Sequence, residues 1–104
     1  MAHQMTVLYH HPDDAADFDA HYESTHAPLA ATIPGLRSYS VLRPVANPGE
    51  DRPAYHLLAS LTFDDEVAFG AAMTSDEGKA AVKDLANFAS GGVTIASGPA
   101  TTIV

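Results

Sequence analysis

The sequence predicts an α+β fold in which the elements follow one another as β-α-β-β-α-β, and three observations predict it. Four short runs are rich in β-branched and aromatic residues. Two intervening stretches repeat apolar residues at helical spacing. The stretch richest in proline and glycine, "PVANPGEDRPA" at 44–54, separates two strand-like runs rather than a strand and a helix.

Taken in order, "MTVLYH" (5–10) reads as the first strand by its β-branched and aromatic content. Residues 1–4 are set aside as an N-terminal extension or tag remnant, which leaves 5–104 as a single domain. Asp13 is a good N-cap, and the acids beyond it favour a helix start. Phe18, Tyr22, Thr25 and Leu29 then share one helical stripe. Pro28 disfavours helical geometry at Ala27 and removes a backbone donor. The first helix is therefore expected over 14–25, followed by a short piece with Pro28 in its first turn, ended by "PG" at 34–35. "LRSYSVLR" (36–43) is the second strand and "YHLLASLTF" (55–63) the strongest. Asp64 is expected to cap a helix running to Met73. Thr74 and Glu77 then form a capping-box pattern that starts a second helical piece, ending before "GG" at 91–92. "VTIAS" (93–97) is the last core strand, and "TTIV" (101–104) reads as an extra edge strand. This order is the ferredoxin-like plan, a four-stranded antiparallel sheet with the helices on one face.

A chain of 104 residues, 46% of them apolar, suits one domain with one core. Five basic residues against 13 acidic ones give a net charge of −8, which argues against nucleic acid and anionic membrane surfaces as partners. With no cysteine, thiol catalysis, disulfides and thiolate metal sites are excluded. No apolar run approaches the roughly 20 residues that span a bilayer, and the expected location is cytoplasmic. In 55–63, Tyr55, Leu57, Ala59, Leu61 and Phe63 share one face while His56, Leu58, Ser60 and Thr62 share the other. Likewise Val7 and Tyr9 alternate with Leu8 and His10. Both faces carry apolar groups but helices cover only one, so the open face is expected to meet a second copy in a homodimer.

No GxGxxG, P-loop, HExxH or GxSxG pattern is present. His10 and His11 are adjacent and point to opposite faces of a strand. His21 and His26 lie about 140° apart around an α-helix and so should not share a ligand face. The expectation is a site with no metal and no cofactor. His26 borders the core-facing stripe beside the Pro28 break, where two readings fit. It either satisfies the carbonyls freed there or exchanges protons as an acid and base. Burial would lower its pKa, whereas those carbonyls or a facing carboxylate would raise it. The tyrosine hydroxyls, Tyr9 and Tyr22 among them, lie near apolar faces, packing their rings or orienting a bound molecule. Asp84, at the edge of the Ala81, Leu85 and Phe88 face, is either an exposed helix acid or the group that orients a histidine.

With "YHHPDDAADFDAHYESTHAPLAATIPGLRSY", "PAYHLLASLTFDD" and "DLANFASGG" in family order, the chain resembles the EthD-like family of the dimeric α+β barrel superfamily. The resemblance implies a pocket between sheet and helices within each subunit. His26 matches the family's helix-end histidine and is the expected catalytic residue. Tyr22, His56 and Phe88 fall near the pocket, with Tyr9 and Asp84 joining them as expected substrate-binding residues. The function implied is a cofactor-free, oxidoreductase-type enzyme acting on a small hydrophobic oxygenated molecule. The alternatives are a non-catalytic accessory protein for an oxygenase pathway and a lyase or isomerase of the same barrel type. The Pro28 break is expected to let His26 leave the helix path and aim its ring into the pocket.

Overall fold

Alternation along the strands decides which side of the sheet becomes the core. In the computed structural model, which describes residues 1–104, the strands are β1 (His3–Tyr9), β2 (Leu36–Leu42), β3 (Leu57–Phe63) and β4 (Val93–Pro99). They form one sheet in the order β2-β3-β1-β4, and every pair is antiparallel. Leu57, Ala59, Leu61 and Phe63 are buried on one face, opposite Val7 and Tyr9 of β1. Helices cover that face only, which is the ferredoxin-like arrangement the sequence predicts.

The strand ends differ from expectation. Pairing of β1 starts at His3, not Met5: His3 lies opposite Phe63 and Pro99, and its ring packs 4.5 Å from that of Phe69. β4 continues to Pro99, and the expected strand at 101–104 does not form. β4 has β1 as its only partner, and the ladder closes where Ala100 N–H meets the Ala2 carbonyl at 2.8 Å. Past that bond the tail leaves the sheet.

The first helical arm consists of α1 (Ala15–His21), a π-helical turn (Tyr22–His26) and α2 (Ala27–Ala30). Asp14, one residue after the expected cap, accepts from Asp17 N–H at 3.0 Å. The second arm is α3 (Glu66–Thr74) and α4 (Asp76–Phe88). Asp65 caps α3, because the expected cap Asp64 holds the Arg37 guanidinium across the sheet edge at 2.7 and 2.8 Å. Ser75, rather than Thr74, caps α4 and accepts from Gly78 N–H at 3.0 Å, while the Thr74 hydroxyl bonds back to Gly70.

On the open face the alternation is cleaner than the sequence suggests. Leu42, Leu58 and Leu8 lie side by side across β2, β3 and β1. Ser40, Ser60 and Thr6 form the next row, and Ser38, Thr62 and Gln4 the one after.

Two glycines in the second arm should respond to alanine with opposite signs. A Cβ on Gly78 would stand 2.1 Å from the Ala72 carbonyl oxygen, so backbone must move, and we expect Gly78→Ala to destabilise by about 1–3 kcal/mol. Gly70 has nothing within 4 Å of that position, and Gly70→Ala should stabilise by about 0.5–1 kcal/mol through helix propensity. Urea unfolding of the two variants against the parent reads both signs.

Candidate active site

The site begins with the turn around "HYESTHAP". Pro28 has no N–H to donate and its ring crowds the carbonyl four residues back. The expected break does not occur. His21, Tyr22, His26 and Ala27 all keep right-handed helical dihedrals, and the helix instead widens so that Ala27 N–H donates to the Tyr22 carbonyl, five residues back. His26 therefore stays on the helix path. In a turn closed by i→i+5 bonds, residues five apart lie one above the other. His21 and His26, expected on different faces, are thereby brought to the same side.

Both rings converge on Asp84. His26 Nδ1 is 3.0 Å from Oδ2, and His21 Nε2 is 3.0 Å from each carboxylate oxygen. Asn87, one turn along α4, donates to Oδ1 at 2.9 Å. Asp84 is buried at 7% exposure, so of its two sequence readings the histidine-orienting one describes its contacts. An ionised carboxylate only accepts, so the network assigns hydrogen to Nδ1 of His26 and leaves Nε2 as the lone-pair nitrogen. The Tyr9 hydroxyl lies 3.4 Å from that Nε2, a long contact it can only donate to. His21, Asp84 and His26 turn their polar atoms on one another, and no cluster of three or more such side chains is arranged for a metal ion.

Aromatic rings enclose this line. Phe88 packs against the rings of His21 at 4.9 Å and His26 at 4.8 Å, and Tyr22 lies 5.2 Å from His26. The Tyr22 and Tyr39 hydroxyls form a short hydrogen bond between the helical arm and β2. Beyond Nε2 lies a cavity of ≈ 50 Å³ between sheet and helices, lined by Tyr9, Tyr22, Tyr39 and His26 with apolar walls that include Met5 and Met73. That space admits water-sized groups. A larger ligand has to displace wall side chains, and methionine is the side chain best suited to yield.

The expected site residues thus divide. His26, Tyr9 and Tyr22 line the cavity, while Asp84 stands behind His26 and Phe88 packs behind the rings of His26, Tyr9 and Tyr22, neither of them in the cavity wall. His56 is elsewhere. It precedes β3 rather than starting it, donates its N–H to the Tyr9 carbonyl, and turns its ring edge-on to Phe18 with Nε2 2.9 Å from Asp19. That places it on the helix side, against the alternation expected for a strand residue. Tyr39, one of the tyrosines near an apolar face but not among the expected site residues, also lines the cavity, and His21 is concealed by the assumption of α-helical spacing.

Burial pulls the His26 pKa below the ordinary histidine value, outweighing the hydrogen bond and charge of Asp84, which act upward. For Asp84 burial acts upward, but the hydrogen bonds from Asn87, His21 and His26 together leave it below the usual carboxylate value. Burial also pushes the hydroxyls of Tyr9, Tyr22 and Tyr39 up, so they serve as neutral donors. Both depressed groups act in the same direction on stability. The unfolded chain takes up protons on His26 below the reference of 6.5 and on Asp84 below 3.8 that the folded chain resists. Stability contributed by each is full above those values and is lost as the pH falls through the lower folded ones. The melting temperature should therefore be level above about pH 6.5 and decline in acid. In Asp84→Asn the His26 midpoint, followed by NMR, should fall further, because the upward influence is gone. A midpoint that rises or stays fixed would contradict this electrostatic account.

Known proteins resemble this chain in sequence and in fold. Residues 10–92 match the EthD domain. An uncharacterized 11.0 kDa protein of the thcB-thcC intergenic region of Rhodococcus erythropolis is 42% identical over 93 residues, 89% of each chain. The crystal structure of an ethyl tert-butyl ether D (EthD) family protein from Bacillus halodurans superposes with a TM-score of 0.90 at 39% identity, covering 97% of this chain and 100% of that one. At the level of fold alone, SnoaB, a cofactor-independent oxygenase from Streptomyces nogalater, superposes with a TM-score of 0.65 at 18% identity, covering 98% of this chain and 95% of the other. The chain belongs to the EthD domain family.

Proposed function

We propose that the protein is a cofactor-free enzyme in which His26 removes a proton from a small, apolar, oxygen-bearing molecule held in the cavity. The observation that carries this is the Asp84–His26–Tyr9 line ending in an apolar space. Asp84 fixes the tautomer with the Nε2 lone pair on the cavity side, where a ligand proton would replace the long Tyr9 contact. Burial keeps the ring neutral at pH 7, the form that accepts a proton. A ligand hydroxyl or activated C–H directed at Nε2 loses its proton there, and the anion left behind faces the Tyr9 hydroxyl as a hydrogen-bond donor. The Tyr22 and Tyr39 hydroxyls offer a second polar point for the same molecule. An electron-rich anion of this kind is the form that dioxygen can oxidise without a metal or flavin. The fold neighbour described as a cofactor-independent oxygenase supports, at fold level only, an oxidoreductase-type outcome.

A second reading is a non-catalytic carrier for such a molecule, and one observation favours it: no buried side-chain nitrogen or oxygen lacks a partner. A saturated network can bind without reacting. His26→Ala separates the two. With an aromatic or enolic ligand found by thermal-shift screening, the enzyme reading expects turnover to fall by about 100-fold or more while binding persists. If no ligand is converted by the parent protein and His26→Ala changes affinity alone, the carrier reading stands instead.

The same reading places a second copy of the chain over the open sheet face. Its row of leucines, with Leu42 56% exposed, is the apolar band such a partner would cover, and the flanking serines and threonines permit close approach. Leu58, central in that row, is the position to test. Leu58→Asp should weaken association by over 100-fold, about 3 kcal/mol or more, with helix content retained by circular dichroism. A parent protein that remains monomeric by light scattering at micromolar concentration would overturn the dimer.

A further inference from the structure

His21 has no place in the function proposed so far, yet it makes the most symmetric contact in the cluster. Its Nε2 is equidistant, at 3.0 Å, from both oxygens of Asp84, whereas His26 holds only one. Its side chain is 28% exposed against 7% for His26, so it approaches the carboxylate from the solvent side. The ring stacks on Phe88 with 17° between planes, which fixes its orientation independently of the carboxylate. This approach exists because the π-helical turn brings His21 and His26, five residues apart, onto one side of the helix.

We propose that His21 is a positioning residue for His26: by donating to both oxygens of Asp84 from the solvent side, it divides the carboxylate so that Asp84 orients the His26 ring without drawing a second proton onto it. The proposal rests on the reading of His26 as a base. A carboxylate bound to one imidazole alone concentrates its charge there and favours imidazolium, the form that cannot accept a proton. Shared among His21, His26 and Asn87, the same carboxylate still takes the Nδ1 hydrogen but attracts the extra proton less. Charge on the His21 ring would act on His26 in the same downward sense as burial, so a neutral donor at position 21 is needed to separate that effect from sharing of the carboxylate. The other groups facing His26 are Tyr9 from β1 and Tyr22 from its own arm, both neutral. His21 also borders a solvent groove rimmed by Asp13, Asp14 and Asp17, which keeps its outer side hydrated and acidic.

The test uses ¹⁵N NMR of the imidazoles in the parent protein, His21→Phe and His21→Gln, and requires no substrate. Phenylalanine keeps the stacking on Phe88 but donates nothing to Asp84; glutamine returns a neutral N–H at similar reach. We expect the His26 midpoint to move upward in His21→Phe and to return toward the parent value in His21→Gln, with hydrogen on Nδ1 throughout. An unmoved midpoint in His21→Phe would overturn the proposal. A glutamine variant that behaves like phenylalanine would also overturn it, because the effect would then come from charge and not from positioning. Should His21→Phe fail to fold, His21→Gln against Asn87→Ala decides the matter: removing the Asn87 donor should raise the midpoint while His21→Gln leaves it near the parent's. Failure here leaves the turnover comparison for His26→Ala untouched, so the two readings fail separately.

Discussion

A buried carboxylate is the constraint around which the helical layer is arranged. An ion at 7% exposure in an apolar layer costs several kcal/mol unless donors surround it. Asp84 finds one donor on its own helix, Asn87, and two on the opposite arm, His21 and His26. Phe88, one turn beyond Asp84 on the same face of α4, supplies the apolar surface on which both imidazoles lie. The packing of the first arm against α4 is thus set by hydrogen bonding as much as by apolar area. Removing a donor leaves charge unpaired, which is costlier than losing an ordinary contact.

The sheet contributes the other half of the site. Tyr9 from β1 reaches His26, and Tyr39 from β2 reaches Tyr22, so each polar contact across the cavity joins a strand to the first arm. Because these hydroxyls are held protonated by burial, they act as directed donors in a region of low dielectric, where a hydrogen bond to a developing anion is strongest. The lining is otherwise apolar.

Much of this was legible in the sequence. The alternation in Leu57, Ala59, Leu61 and Phe63 gave the core face correctly, and the order of elements gave the fold. The sequence puts His26, Tyr9 and Tyr22 on or beside core-facing stripes, and all three line the cavity. The misses have non-local or geometric causes. Asp64 has the sequence signature of a cap but is engaged by Arg37, 27 residues earlier, so Asp65 takes the role. The 101–104 tail has strand composition but leaves the sheet after Pro99, which composition cannot reveal. His56 was assigned a face by alternation although the strand starts after it. His21 was dismissed through a period of 3.6, and nothing in a single sequence announces where a helix adopts a wider one.

That wide turn has a consequence for how such sites are inherited. A π-helical turn holds one residue more than an α-helical turn needs, so the meeting of His21 and His26 is encoded in a count and not only in two identities. Deleting one residue between them and restoring ordinary winding would leave the histidines four apart and still on one face, whereas ordinary winding with that residue kept would set them about 140° apart. A chain that winds this stretch as a plain α-helix keeps both histidines and loses their meeting, unless it also drops a residue between them. The interval between the two histidines and the winding of the helix that carries them therefore have to be read together.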